Sequence, residues 1–129
     1  MRLRRNGGNF KFLQMIPSFF LWIVLYGYSF LVFVVSVIPV SGPQVLTNQD
    51  KIIHFFLYMV MASLAVLARK SRPDRFVLMP AFLYAASFGL VVEIVQYFLP
   101  YRSFEWWDIL ANTCGAFFAV LLARLVRYA

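Results

Sequence analysis

Charged residues are confined to short clusters between long apolar segments, and this distribution limits what the chain can fold into. The stretch from Phe12 to Gln49 contains no charged side chain. Over all 129 residues, 63% are hydrophobic and 13% are charged, whereas soluble domains average about 45–50% apolar and about 25% charged residues. A small soluble domain has too little interior to bury so much apolar surface. The pattern therefore excludes a soluble globular protein and a disordered one, and indicates a single membrane domain.

Four apolar segments are long enough to cross a membrane as helices, because a hydrocarbon core of about 30 Å requires about 20 residues. Pro17 suits the first turn of a helix, and Pro39 and Pro100 mark helix ends. The predicted fold is an all-α, four-helix transmembrane bundle over residues 17–126, after a basic tail (1–16) and before a short C-terminal end (127–129). We predict its helices at about residues 17–38, 50–68, 76–99 and 105–126.

The first segment also has features of a secretory signal peptide, because four basic residues precede it: Arg2, Arg4, Arg5 and Lys11. Its apolar run exceeds the length of about 7–15 residues that is typical of a signal peptide, and no convincing small-residue cleavage site follows. An uncleaved first helix is therefore the favoured interpretation.

Basic residues mark one side of the predicted bundle. Ten of the twelve Lys and Arg residues lie in the N-terminal tail, in the 69–75 connection or at the C-terminal end, and only Lys51 and Arg102 lie on the other side. The positive-inside rule therefore predicts a multi-pass protein with both termini in the cytoplasm. Because these residues follow membrane topology and do not share one wettable face, the lipid bilayer is the expected partner and nucleic acid is not.

Most other polar residues lie at the predicted outer ends of the last three helices. Three pairs have spacings that place both side chains on one helix face: Asp50 with His54, Glu93 with Gln96, and Asp108 with Asn112. Rows of small residues lead up to Glu93 and follow Asp108, and such rows let membrane helices approach closely. We therefore expect the acids to point into the bundle and a polar pocket to open toward the extracytoplasmic face.

Two interpretations of the acids stay open. Glu93 lies about 9 Å inside its predicted helix end, where an ionised side chain costs less than the about 2.5–3.5 kcal/mol that applies at a helix centre. It either belongs to a structural network, with Arg102, His54 or Lys51 as candidate ion-pair partners, or faces a ligand. Asp50 likewise either settles the helix end through His54 or orients its imidazole for proton transfer.

The acids and His54 are also residue types that can bind a metal ion. Its four candidate ligands would be Asp50, His54, Glu93 and Asp108, but no compact ligand motif such as H-E-x-x-H is present. The sequence prediction is therefore that the protein has no metal and no other cofactor.

The same residues carry a resemblance to a known family. The pattern Asp50-Lys51-x-x-His54, then Glu93-x-x-Gln96, then Arg102 with Asp108 six positions on, and then Asn112-x-x-Gly115 resembles the VanZ-like family of bacterial membrane proteins. The similarity spans residues 50–123, and the first helix matches only by hydropathy. One departure is Ala119, where the family often has glycine.

The resemblance implies a setting in the bacterial cytoplasmic membrane and cell envelope. The family is named after a protein associated with resistance to the glycopeptide antibiotic teicoplanin. Its motif positions correspond here to Asp50, Lys51, His54, Glu93, Gln96, Arg102, Asp108 and Asn112.

Three functions remain open from the sequence. The leading hypothesis is binding or modification of an amphiphilic envelope ligand at the outer leaflet, either a lipid-linked cell-wall component or a lipoglycopeptide. Lys51 and Arg102 would then receive an anionic head group, with hydrogen bonds from Gln96 and Asn112. The second is a membrane enzyme acting on a lipid or glycan, with His54 and Asp50, or Glu93, as acid or base. The third is a small transporter that would have to form a homo-oligomer, because four helices leave little room for a pathway.

Overall fold

Four long helices make up the computed structural model, which describes residues 15–39, 47–69 and 75–128. They are α1 (Ser18–Val37), α2 (Thr47–Ala68), α3 (Arg75–Tyr97) and α4 (Trp106–Tyr128), and the described residues contain no strand. The predicted all-α, four-helix fold is confirmed. The basic tail 1–14, and with it most of the predicted 1–16 segment, lies outside the described residues.

All four helices are long and apolar enough to span a membrane. Large apolar side chains cover their outward surfaces, as Ile23 and Phe30 do on α1 and Leu83 does on α3. In water such exposure would be unfavourable, whereas hydrocarbon solvates it without penalty. The helices are therefore those of a multi-pass membrane protein.

Two helix ends differ from the sequence prediction for identifiable reasons. α2 begins at Thr47, three residues before the predicted start, so Asp50 lies in its first turn, where a carboxylate interacts favourably with the helix dipole. α3 ends at Tyr97 and not at Leu99, because the Phe98 and Leu99 amides each donate to the carbonyl three residues back and tighten the chain before Pro100.

The closest helix pair is α2 with α4, and a glycine makes this approach feasible. A Cβ atom at Gly115 would collide with the backbone carbonyl oxygen of Phe55 on α2. Buried alanines continue the contact along both helices at Ala62, Ala65 and Ala119. Small residues at this seam allow the two backbones to touch, as is common between membrane helices.

The remaining helices complete the bundle around this pair. α3 packs its own small-residue row, Ala81, Ala85 and Gly89, into the core. α1 packs on α2 and α3 and contributes the buried side chains Leu25 and Val32.

Polar side chains fasten α1 to the bundle. The Tyr28 hydroxyl donates to the Leu57 carbonyl of α2 (2.9 Å). At the C-terminal end of α1, the Gln96 amide donates to the Ser36 carbonyl (2.8 Å) and the Tyr101 hydroxyl donates to the Val37 carbonyl (2.7 Å). These hydrogen bonds link α1 to the same end of the bundle at which α3 ends and α4 begins.

Candidate functional site

Polar side chains converge where α2 and α4 begin and α3 ends. We call this group the polar cluster; its members are Asp50, Lys51, His54, Tyr58, Glu93, Glu105, Asp108 and Asn112. Its inner members are buried although they are polar, and Glu93 is entirely inaccessible to solvent. The structure therefore brings together six of the eight residues that the sequence predicted, and leaves out Gln96 and Arg102.

Lys51 links the starts of α2 and α4. Its Nζ atom lies 2.9 Å from Oε2 of Glu105 and 3.1 Å from Oδ1 of Asp108. Asp108 is buried and Glu105 is partly exposed, so the ammonium joins the interior of the cluster to its surface. Because both carboxylates already occupy this ammonium, Lys51 is poorly placed for the predicted role of receiving an anionic head group.

His54 lies at the centre of the cluster. Its Nδ1 atom is 3.0 Å from Oδ1 of Asn112, a hydrogen bond between α2 and α4. Its Nε2 atom faces two carboxylates, at 3.6 Å from Oδ1 of Asp50 and 4.0 Å from Oδ2 of Asp108. These last two distances are too long for hydrogen bonds. Asp50 itself is exposed, so the expectation that the acids point into the bundle is wrong for this residue.

Glu93 has no ion-pair partner among the described residues. Its Oε2 atom accepts a long hydrogen bond of 3.4 Å from the Glu105 amide, and its Oε1 atom is buried without a partner. The candidate ion pairs of Glu93 with Arg102, Lys51 or His54 are therefore wrong for the described residues, because Lys51 is held by other acids and Arg102 lies elsewhere.

Arg102 and Gln96 lie outside the polar cluster. Arg102 is half-buried in the connection between α3 and α4, and its guanidinium contacts no acid in the described part of the chain. Gln96 is buried against α1, where it donates to the Ser36 carbonyl. Gln96 therefore serves helix packing in this structure, and Arg102 is left available at the surface.

Two members of the cluster were not predicted. Glu105 is three residues before Asp108 and Tyr58 is four residues after His54, so the same spacing argument identifies both. The Tyr58 hydroxyl is buried without a partner, as is the Nδ2 atom of Asn112. A Cβ atom at Gly89 would lie 2.9 Å from Asn112 Nδ2 and 3.0 Å from Tyr58 Cε1, so this glycine makes room for both side chains.

The cluster has an excess of negative charge and a set of metal-ligating atoms. Four carboxylates, from Asp50, Glu93, Glu105 and Asp108, surround one ammonium. Asp50, His54 and Asp108 each offer one ligand atom, and these three atoms lie within 4.8 Å of one another. Chemically, the arrangement favours a cation, a protonated amine or a proton over an anion.

A separate apolar groove lies against α2 and α4. Its volume is about 380 Å³, and its lining includes Phe55, Thr113 and Phe118. Phe55 and Thr113 directly follow His54 and Asn112 in sequence, but successive helix residues point in different directions, and no member of the polar cluster lines the groove.

Comparison with known proteins identifies a family for nearly the whole chain. The family model described as VanZ/LLP1 matches residues 2–127. No curated protein and no solved structure matches the chain. The match includes α1, for which the sequence motifs alone gave no support.

Proposed function

Because the chain belongs to the VanZ/LLP1 family, we propose that it is a protein of the bacterial cytoplasmic membrane that binds an amphiphilic ligand of the cell envelope. The ligand class is a lipid-linked cell-wall component or a lipoglycopeptide, whose polar head would contact the polar cluster. One observation carries this proposal. Three buried polar atoms have no hydrogen-bond partner within the described residues: Glu93 Oε1, Tyr58 Oη and Asn112 Nδ2, which come from three different helices and belong to one cluster.

The unpartnered atoms supply the driving force for binding of the head group. A buried polar atom without a hydrogen bond costs about 1–3 kcal/mol. A head group that donates to Glu93 and accepts from Asn112 recovers part of this cost on binding. The site is therefore suited to a ligand with both donors and acceptors, such as the sugars and peptides of cell-wall precursors and glycopeptides.

The charges at the rim of the cluster further restrict the chemical class of the ligand. Asp50 and Glu105 expose carboxylates, whereas Arg102 offers a guanidinium in the adjoining connection. A head group that carries an amine as well as an acidic group complements this rim. This revises the role expected from the sequence, in which Lys51 and Arg102 together received an anion.

The apolar groove provides for the other half of an amphiphile. It is lined by aromatic side chains, including Phe55 and Phe118, and Phe55 directly follows His54 in α2. An acyl chain in this groove would remain in the hydrocarbon layer while its head group reached the cluster. The distribution of basic residues supports an extracytoplasmic position for the cluster, at the outer leaflet.

Direct binding to the full chain in lipid nanodiscs tests the proposal. The probes are teicoplanin and a lipid-linked cell-wall precursor, each titrated by calorimetry. We expect one of them to bind at one molecule per chain, and Glu93→Gln or Asp108→Asn to weaken binding by about tenfold, which corresponds to about 1.4 kcal/mol. Ser63→Ala is the matched control, because Ser63 bonds only to the Met59 carbonyl within α2. The proposal fails if neither probe binds, or if the control loses as much affinity.

A membrane enzyme is the second candidate, and the surroundings of His54 favour it. Asn112 holds Nδ1 while Nε2 faces Asp50 and Asp108, an orientation suited to proton transfer. Incubation with the lipid-linked precursor, followed by mass spectrometry, distinguishes the two candidates. A product that forms with wild type and is lost in His54→Gln supports catalysis, and unchanged precursor supports binding alone.

A further inference from the structure

We propose that Asp50, His54 and Asp108 form a binding site for a divalent metal ion of the zinc class. The ligands are Nε2 of His54, Oδ1 of Asp50 and Oδ2 of Asp108, which come from the starts of α2 and α4. This reverses the expectation of no metal drawn from the sequence. The inference does not rest on the proposed function, because an ion can bind here without an amphiphile.

The distances fit ligands that share a cation. His54 Nε2 lies 3.6 Å from Asp50 Oδ1 and 4.0 Å from Asp108 Oδ2. Zinc bonds of about 2.0–2.2 Å in a tetrahedron place neighbouring ligand atoms about 3.3 Å apart. The three ligand atoms lie within 4.8 Å of one another, so side-chain movements of about 0.3–1.5 Å bring them to coordinating positions.

The orientation of His54 supplies an independent argument. This side chain is nine-tenths buried, and its Nε2 atom has no hydrogen-bond partner among the described residues, although it lies between two carboxylates. Its Nδ1 atom lies 3.0 Å from the Asn112 oxygen, to which it donates its proton. That bond leaves the Nε2 lone pair free, which is the tautomer that binds metals, and metal-ligating histidines usually have such an acceptor on the other nitrogen.

The surroundings of Asp108 and Asp50 fit the same role. Lys51 donates to the Oδ1 atom of Asp108, which leaves Oδ2 for the ion and orients the carboxylate, as ligating carboxylates are commonly oriented. Asp50 is half-exposed, so the ion can enter from the surface and retain one position for water or for a ligand atom.

This geometry has a competing explanation, in which His54 is protonated and attracts both carboxylates. Metal titration distinguishes that explanation from a metal site. The full chain in nanodiscs is titrated with Zn²⁺ against a competing indicator dye, and with Co²⁺ while its visible absorption is recorded. A tetrahedral nitrogen and oxygen site gives Co²⁺ strong visible bands that aqueous Co²⁺ lacks. We expect one Zn²⁺ per chain and these Co²⁺ bands.

Matched variants locate the ion. Asp50→Asn and His54→Gln should each weaken Zn²⁺ binding by more than tenfold. Even the mutation of a residue that only hydrogen-bonds to a metal ligand lowers metal affinity by about 10–100-fold. Asp74→Asn removes the one Asp or Glu of the sequence that is not a member of the polar cluster, so its affinity for Zn²⁺ should stay within about threefold of wild type. Asp50 is exposed and its side chain contacts only His54 among the described residues, so Asp50→Asn leaves the fold intact.

Three results overturn the inference: no Zn²⁺ binding by wild type, equal losses of Zn²⁺ affinity in Asp50→Asn and Asp74→Asn, or Co²⁺ binding that survives His54→Gln. Because the titration contains no amphiphile, it is independent of the ligand-binding experiment. Zinc binding without teicoplanin or precursor binding would support the metal site and contradict the proposed function. Binding of teicoplanin or the precursor without zinc binding would support the proposed function and contradict the metal site.

Discussion

Gly115→Ala tests the close approach of α2 and α4 on which the polar cluster depends. The new Cβ atom would overlap the Phe55 carbonyl oxygen and lie 2.9 Å from the Phe55 carbonyl carbon and 3.1 Å from its Cα. All three neighbours belong to the α2 backbone, so no side-chain rotation relieves the contact. The helices must separate instead, which weakens the buried alanine packing along the seam.

The expected loss follows from this geometry. Inserting one carbon into a close-packed interior usually costs about 1–3 kcal/mol, and a contact with backbone belongs at the upper end of that range. The gain from replacing glycine by alanine in a helix, about 0.8–1.0 kcal/mol, offsets part of it. We therefore expect Gly115→Ala to lower the free energy of unfolding by about 1–2 kcal/mol.

This loss of unfolding free energy can be measured in mixed micelles. The fraction of denaturing detergent is increased, and unfolding is followed by tryptophan fluorescence. Gly27→Ala is the matched control, because a Cβ atom at Gly27 meets nothing within 4 Å. That variant should be as stable as wild type or slightly more so. Equal stability of the Gly115 and Gly27 variants would refute the idea that α2 and α4 touch at Gly115.

Three further predictions concern the polar cluster and its orientation. Gly89→Ala should lower the free energy of unfolding by about 1–3 kcal/mol, because its Cβ atom would lie 2.9 Å from Asn112 Nδ2 and 3.1 Å from Asn112 Cβ, and it should displace Asn112 and weaken Zn²⁺ binding in the same dye titration. Lys51→Met should lower the free energy of unfolding by about 1–3 kcal/mol because it leaves buried Asp108 without its cation, and adding Asp108→Leu should restore most of the loss in the same detergent unfolding assay. Ser103→Cys in a Cys114→Ser background should react with a membrane-impermeant thiol reagent from outside intact cells, and labelling only after lysis would contradict the proposed topology.

The sequence was sufficient to predict the helices and the end of the bundle at which polar residues meet. Long charge-free segments and proline boundaries predict four helices, because a bilayer requires such lengths. Spacing of three or four residues correctly placed Glu93, Asp108 and Asn112 on buried faces.

The contacts within the site were less predictable, since they depend on how each helix is rotated and how closely it approaches its neighbours. Arg102 was a plausible partner of Glu93 by position along the membrane normal, yet its guanidinium contacts no acid among the described residues. Lys51 instead pairs with Glu105, which precedes the regular helix α4. The closeness of His54 to Asn112 likewise follows from the α2–α4 contact at Gly115, which no spacing within one helix reveals.

Substitutions on the two sides of the contact that holds α1 have unequal effects. Gln96 and Tyr101 bind the Ser36 and Val37 carbonyls, and every residue type supplies a carbonyl. Replacements at Ser36 or Val37 keep these acceptors, whereas Gln96→Leu or Tyr101→Phe removes a donor. The end of α1 is thus free to change its side chains during evolution as long as it stays apolar and helical, while the residues that hold it are not.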